Sequence, residues 1–137
     1  MIRNALIDTG PLVALFSKRD SNHDLCMAAS KEMEAPYLTS WPVLTETAWL
    51  LRNYPISIKE VFQSIEEGFL RILDLDHQFV RWNLVFLERY ENVGVQLADA
   101  SLVYLAERER IINVFTLDRR DFTIYRTTRN RALTIIP

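Results

Sequence analysis

The sequence predicts an α/β fold in which a mainly parallel central sheet lies between two helical layers, and three observations lead there. Short apolar runs alternate along the chain with segments whose apolar residues keep a helical period. The first run, Ala5-Leu6-Ile7, is continuously apolar, as a parallel strand covered on both faces must be. It stops at Asp8-Thr9-Gly10, which puts a carboxylate where open α/β sheets bind ligands, at the carboxyl end of a strand.

The elements follow in order. After the first strand, residues 12–16 are expected to form a short helix. Ser21 and Asp24 have capping-box spacing and open a helix to about Glu34, which Ala35-Pro36 ends. Tyr37-Leu38-Thr39 is a second strand. Ser40-Trp41-Pro42 starts a helix with Pro in its first turn, where the missing N–H costs little, and it closes before Pro55. Ser57 and Glu60 form another capping box for a helix that stops at Gly68. Residues 69–75 read as a third strand, and residues 76–90 as a helix with Phe79, Val80, Leu84, Leu87 and Tyr90 on its apolar face. Gly94 breaks the chain before a helix over 97–109. Residues 111–117 are a strand that ends at Asp118, residues 119–131 are Arg-rich and irregular, and residues 133–136 close with a small strand.

A chain of 137 residues, 49% hydrophobic and 25% charged, has the composition of one globular domain spanning 1–137. Three Gly and five Pro leave little room for long linkers. A single Cys26 excludes an internal disulfide and fits a reducing compartment. No signal-peptide layout and no membrane-length apolar run is present, so a cytoplasmic location and no membrane contact are expected. The net charge is −2, unevenly spread: residues 1–107 carry 9 Lys/Arg against 15 Asp/Glu, and residues 108–137 carry 7 Arg against 3 acids. An acidic body with an Arg-rich end suits a carboxylate metal pocket beside a phosphate-contacting rim; an uneven solvated surface would give the same pattern.

Four acids stand in places that need a reason. Asp8 and Asp118 close predicted strands. Glu46 lies three residues after Val43 and four before Leu50, so it shares a helical face with apolar side chains. Asp99 precedes Leu102, Val103 and Ala106 by three, four and seven residues, although an acid near a helix N-terminus also complements the dipole. Carboxylates among core residues are costly unless they are paired or bind metal. No Lys lies near any of them in sequence, while Arg119 and Arg120 offer partners for Asp118. Four converging acids would repel and stay partly protonated unless a cation binds, and an oxygen-only ligand set suits Mg²⁺ or Mn²⁺. Thr9 and Thr116 add hydroxyls able to orient the carboxylates. The chemistry implied is metal-assisted hydrolysis of phosphodiester bonds.

The stretches Ile7-Asp8-Thr9-Gly10-Pro11-Leu12-Val13, the isolated Glu46, Leu97-Ala98-Asp99-Ala100 and Thr116-Leu117-Asp118-Arg119-Arg120-Asp121-Phe122 resemble the PIN-domain nucleases, and most closely the VapC-type toxins of toxin–antitoxin pairs. That resemblance covers nearly the whole chain. It implies a PIN-like three-layer fold, with Asp8, Glu46 and Asp99 as metal ligands and catalytic acids, Asp118 as the fourth, Thr116 at the hydroxyl position and Asp121 as either an accessory acid or a turn cap. It further implies an Mg²⁺- or Mn²⁺-dependent endoribonuclease that leaves 5′-phosphate ends, is a homodimer, and is inhibited by a cognate antitoxin. Arg119, Arg120, Arg126, Arg129 and Arg131 are then the candidates for RNA phosphate contacts, with simple solubilising charge as the other reading.

The remaining residues are weaker candidates. His23 and Cys26 lie three apart, but with no further Cys or nearby His they read as a surface imidazole and a buried thiol, not a zinc site. Trp41, Trp49 and Trp82 read as core or subunit-interface residues, with Trp82 the one suspected of partner contact. A second class of function is a non-catalytic Mg²⁺-binding regulatory domain of receiver type. Receivers pair adjacent N-terminal acids and place a Lys late in the chain; this sequence has a lone Asp8 and no Lys after Lys59.

Overall fold

The computed structural model describes residues 1–137. Five strands, β1 (Leu6–Ile7), β2 (Tyr37–Thr39), β3 (Leu70–Ile72), β4 (Asn113–Phe115) and β5 (Thr134–Ile136), form one sheet in the order β3-β2-β1-β4-β5, with every neighbouring pair parallel. Seven helices accompany them: α1 (Thr9–Phe16), α2 (His23–Ser30), α3 (Trp41–Leu50), α4 (Pro55–Glu66), α5 (Gln78–Arg89), α6 (Leu97–Glu109) and α7 (Arg119–Ile124). The expected α/β class is observed. No helix is long and apolar enough to cross a membrane.

The strand order is what positions the site. From β1 the chain moves outward to β2 and β3, whereas β4 lies on the other side of β1 and leads on to β5. The loops leaving β1 and β4 therefore diverge from adjacent strands, and a crevice opens between them at the carboxyl edge of the sheet. Asp8 and Asp118 leave from these two loops. Asp8 is pinned to the sheet by its own N–H, which donates to the Phe115 carbonyl at 2.9 Å.

Burial explains why these elements hold. Leu6, Ile7, Leu102 and Leu105 are completely buried, and each such side chain contributes about 1.5–3 kcal/mol by leaving water. Helix α6 is buried through nine consecutive residues, 98–106, as expected of a helix enclosed on all sides. It packs against α3 and α5, while α1 packs against α2, α3 and α4. Asp99 is thus carried inside by its helix, not by its own chemistry.

Several expectations about local structure are corrected. Neither capping box forms. Asp20 accepts from the Asn22 N–H at 2.8 Å and sets the turn before α2, so Ser21 is not the cap, and α2 ends at Ser30. Helix α4 begins at Pro55, whose fixed φ suits the first turn, ahead of Ser57. Helix α1 begins at Thr9 with Asp8 as its N-cap, and residues 119–124 are helical, not irregular. On α5 the buried residues are Phe79, Phe86 and the following Tyr90, whose rings pack with Trp82, Tyr104 and Tyr125; Val80 and Leu84 are 53% and 59% exposed. Aromatic contact area outweighs aliphatic periodicity there. Trp41 and Trp49 are exposed, not core, whereas Trp82 is half-buried and donates to Glu107 Oε2 at 3.0 Å.

Candidate metal centre

Asp8 follows the last residue of β1, in extended conformation, and its side chain turns back onto the start of α1. Oδ1 accepts from the Thr9 N–H at 2.8 Å, and Oδ2 accepts from the Thr116 hydroxyl at 2.8 Å. Thr116, fully buried, also accepts from the Asp118 N–H at 3.0 Å. One hydroxyl therefore ties the acid after β1 to the turn after β4. Asp118 caps α7 in turn, accepting from the Asp121 N–H at 3.1 Å.

Asp99 enters from the first turn of α6 and is 9% exposed; its Oδ2 accepts from the Tyr125 hydroxyl at 3.0 Å. Glu46 comes from α3, whose cap Ser40 bonds the Val43 N–H and the Ser101 hydroxyl of α6 and so fixes the two helices together. Val43 is buried as expected, but Leu50 is 49% exposed; the face beside Glu46 is made by Val43, Leu44, Thr47 and Leu51. Gly10 allows the α1 start to sit close to Leu117, whose Cδ1 would be 3.3 Å from an added Cβ.

These residues line one cleft of about 470 Å³: Asp8, Glu46, Asp99, Asp118 and Asp121, with Thr9, Gln96 and Leu117 among its other walls. Its lining contains five carboxylates and no Lys, Arg or His. One oxygen from each of Asp99, Asp118 and Asp121 lies within 4.8 Å of the others. Asp121 is half-buried within that closest group, and the turn cap is Asp118. Neither Arg119 nor Arg120 forms an ion pair with Asp118; the Arg119 guanidinium donates to the Pro137 carbonyl instead.

Electrostatics follow from this crowding. Burial, then the charge of Asp8, pushes the Asp99 carboxyl up to about 7 against the opposing Tyr125 hydrogen bond. Burial also raises Asp8, opposed by the bonds from Thr116 and Thr9 and reinforced by Glu46 and Asp118. Asp121 is raised by desolvation and by Asp118, with Arg120 acting the other way. The donor set is all oxygen, negatively charged and without internal cations, which fits a hard divalent ion such as Mg²⁺ or Mn²⁺.

The residue that sequence reasoning missed is Tyr125. It sits in the stretch read as irregular, and its partner Asp99 is 26 positions away, so no local pattern marks it; its fully buried ring is the structural sign. None of the five arginines lines the cleft: Arg119 and Arg120 open α7 directly after Asp118, and Arg126, Arg129 and Arg131 lie further along the chain.

Replacing Thr116 with Val conserves shape but removes both bonds of the hydroxyl. The cost in metal-free protein is expected at about 2–3 kcal/mol, because a buried carboxylate loses a charge-assisted partner. Urea unfolding in chelator measures this, and a loss below about 0.5 kcal/mol would mean the hydroxyl does not hold the two loops together.

The sequence matches the PIN domain family over residues 5–129. It is 25% identical over 134 residues, covering 96% of this chain and 99% of the relative, to "Ribonuclease VapC26" of Mycobacterium tuberculosis (strain ATCC 25618 / H37Rv). The fold is similar to the crystal structure of Mycobacterium tuberculosis VapC20, described as a "Sarcin-Ricin loop cleaving toxin". That likeness has a TM-score of 0.73 at 18% identity and covers 81% of this chain and 87% of that one.

Proposed function

Because the chain belongs to the PIN-domain family, we propose that residues 1–137 form one metal-dependent endoribonuclease domain, the toxin of a toxin–antitoxin pair. The observation that carries this reading is the cleft in which five carboxylates from four separate regions of the chain converge with no cation among them. Asp8, Glu46, Asp99 and Asp118 would hold Mg²⁺ or Mn²⁺, with Asp121 as a further acid beside Asp99 and Asp118. A divalent ion bound there would supply the positive charge that lowers the pKa of a water and polarises the phosphoryl oxygens.

The chain's own residues set the geometry. Thr116 holds Asp8 and the Asp118 turn at a fixed separation, and Thr9 directs the other Asp8 oxygen through its backbone N–H. Tyr125 orients Asp99 and favours its ionised form. Arg119 and Arg120, next to Asp118 in sequence at the start of α7, would contact an RNA phosphate near the cleft. The relatives "Ribonuclease VapC26" and the "Sarcin-Ricin loop cleaving toxin" VapC20 support RNA as the substrate class.

Partners and location extend the same reading. Trp41, Trp49, Leu50, Ile56 and Phe62 are exposed on α3 and α4, and Val80, Leu84, Val85 and Leu87 on α5. Exposed apolar area of this kind supports contacts with a second copy and with an antitoxin. A cytoplasmic location agrees with a single buried Cys26.

The test is incubation of a mixed RNA pool with Mn²⁺ and either the native chain or Asp8→Asn. Cleavage by the first and not the second is expected. Two equally inert chains that bind Mg²⁺ equally would favour the regulatory reading instead. Tyr125→Phe is expected to raise the Mn²⁺ concentration for half-maximal cleavage about tenfold, since it unsupports a ligand without removing it. Raising the pH should recover much of that loss; an unchanged metal requirement would show that Tyr125 serves packing alone.

A further inference from the structure

Residues 125–133 carry the chain from Tyr125, which meets Asp99 behind the acidic cleft, to the opposite edge of the sheet, where β5 begins. Two cavities border this segment, and both include Thr128. The first, about 450 Å³, lies at the amino-terminal ends of β4 and β5 and is lined by Arg108, Arg110, Arg129 and Arg131 against one acid, Glu107. The second, about 140 Å³, is an almost wholly apolar slot formed by Trp82, Val85, Phe86 and the stems of Arg81, Arg89 and Arg126, and carries no acid.

The charge here is largely uncompensated. Arg108 pairs with Asp76 and Glu109, but Arg81, Arg110, Arg129 and Arg131 make no salt bridge and no side-chain hydrogen bond. Glu107 is already occupied, accepting from the Trp82 indole at 3.0 Å and from the Thr128 N–H at 2.6 Å. The turn that presents Arg129 and Arg131 is closed on itself: the Thr127 N–H donates to the Arg131 carbonyl, the Asn130 N–H to the Thr127 carbonyl and the Arg131 N–H to the Thr127 hydroxyl. Asn130 supplies the left-handed residue, with φ 60°. The turn is held by its own bonds, and the guanidinium groups of Arg129 and Arg131 are left without partners.

We propose that this arginine-lined track is a second nucleic-acid surface, which takes the phosphates of a single-stranded RNA extending beyond the bond held in the acidic cleft. Guanidinium forks match phosphate oxygens in pairs. A monoanion would need one such fork, whereas four arginines around one cavity, with an apolar slot adjoining it, suit a chain of charges that carries bases. Ile111, Ile112 and Leu133 supply apolar wall for sugar or base beside them. The segment that carries the track starts at Tyr125, whose hydroxyl meets Asp99 of the cleft, so long substrates gain contacts that short ones lack. This rests on the nuclease reading for its source of phosphate.

The test measures binding of labelled single-stranded RNA of about twelve and about four nucleotides to the full chain carrying Asp8→Asn in Mn²⁺, where cleavage is blocked while a cation can still offset the acidic cleft. The variants are Arg129→Gln/Arg131→Gln and, as a charge-matched control at the far edge of the sheet, Lys59→Gln/Arg71→Gln. The track predicts about tenfold weaker binding of the longer RNA by the first variant, with a salt slope shallower by about 1.4, at about 0.7 per phosphate contact. The shorter RNA and the control variant should be nearly unaffected. Equal losses in both variants, or none in either, overturn the proposal. Loss of ADP binding with RNA affinity unchanged would assign the phosphate site to a free nucleotide and remove the strand. A poly-glutamate peptide bound only by the native arginines, with RNA and ADP indifferent to them, would overturn it in favour of an acidic protein partner. Arginine-dependent RNA binding without Mn²⁺-dependent cleavage by the chain with Asp8 intact would sink the nuclease reading and leave the track standing.

Discussion

Asp99→Asn is expected to abolish RNA cleavage while making the metal-free protein more stable. The native carboxylate is buried, lies near Asp118 and Asp121, and is kept from ionising freely by burial and by Asp8. An amide of nearly the same shape removes that repulsion, and its oxygen still accepts from Tyr125. At pH 8 the gain in stability should be about 1–2 kcal/mol, the usual size for relief of a functional site. Cleavage should fall about a thousandfold or more, because losing one charged ligand from a small oxygen set forfeits several kcal/mol of cation and transition-state stabilisation. Thermal unfolding in chelator and initial rates on labelled RNA in Mn²⁺ read the two effects separately. Cleavage within a few-fold of native would remove Asp99 from the chemistry. A large drop in melting temperature would mean that the carboxylate supports the fold and is not held there for another purpose.

That trade-off bears on what a sequence can disclose. Asp8 and Asp118 were legible because each ends an apolar run, and a parallel sheet sends every such end to one edge. Asp99 was legible because α6 is apolar enough for its bounds, 97–109, to be read directly, and a charge within it stands out. Glu46 was found on an argument only half right, since Val43 is buried and Leu50 is not. Contacts between distant segments left no trace. Nothing in the order of residues says that Tyr125 reaches Asp99, or that the Arg-rich end runs from the cleft to the far edge of the sheet instead of rimming it. Capping patterns failed for a related reason: Ser21 and Ser57 satisfy the local rule, but Asp20 and Pro55 satisfy the backbone earlier, and neighbours decide which prevails. Strands proved shorter than their apolar runs because burial extends past the hydrogen-bonded ladder, as at Leu117, which walls the cleft.

The pH dependence should separate binding of protons from binding of cations at the same oxygens. In the folded, metal-free chain Asp99 titrates at about 7, raised from 3.8. The sign is unusual for a carboxyl group: the native state holds the proton more tightly than the unfolded chain does, so protonation favours folding. This contribution is fully present below the unfolded value and is lost as pH rises through about 7. Melting temperature in chelator should therefore fall from pH 5 to pH 8, and Asp8 and Asp121, both raised as well, act in the same direction. Asp76, lowered chiefly by its bond from Tyr104, has the opposite sign, but its effect lies below the ordinary carboxylate range and outside this window. A divalent ion must displace the Asp99 proton, so its affinity should rise about tenfold between pH 6 and pH 8 with release of protons on binding. Calorimetry in buffers of different ionisation enthalpy counts those protons. With saturating Mg²⁺ the slope of melting temperature against pH should flatten, because neither the metal-bound nor the unfolded chain carries that proton in this window, and in Asp99→Asn it should become shallower. Affinity independent of pH would mean that the ion binds without Asp99, and the acidic cleft would then need a different explanation.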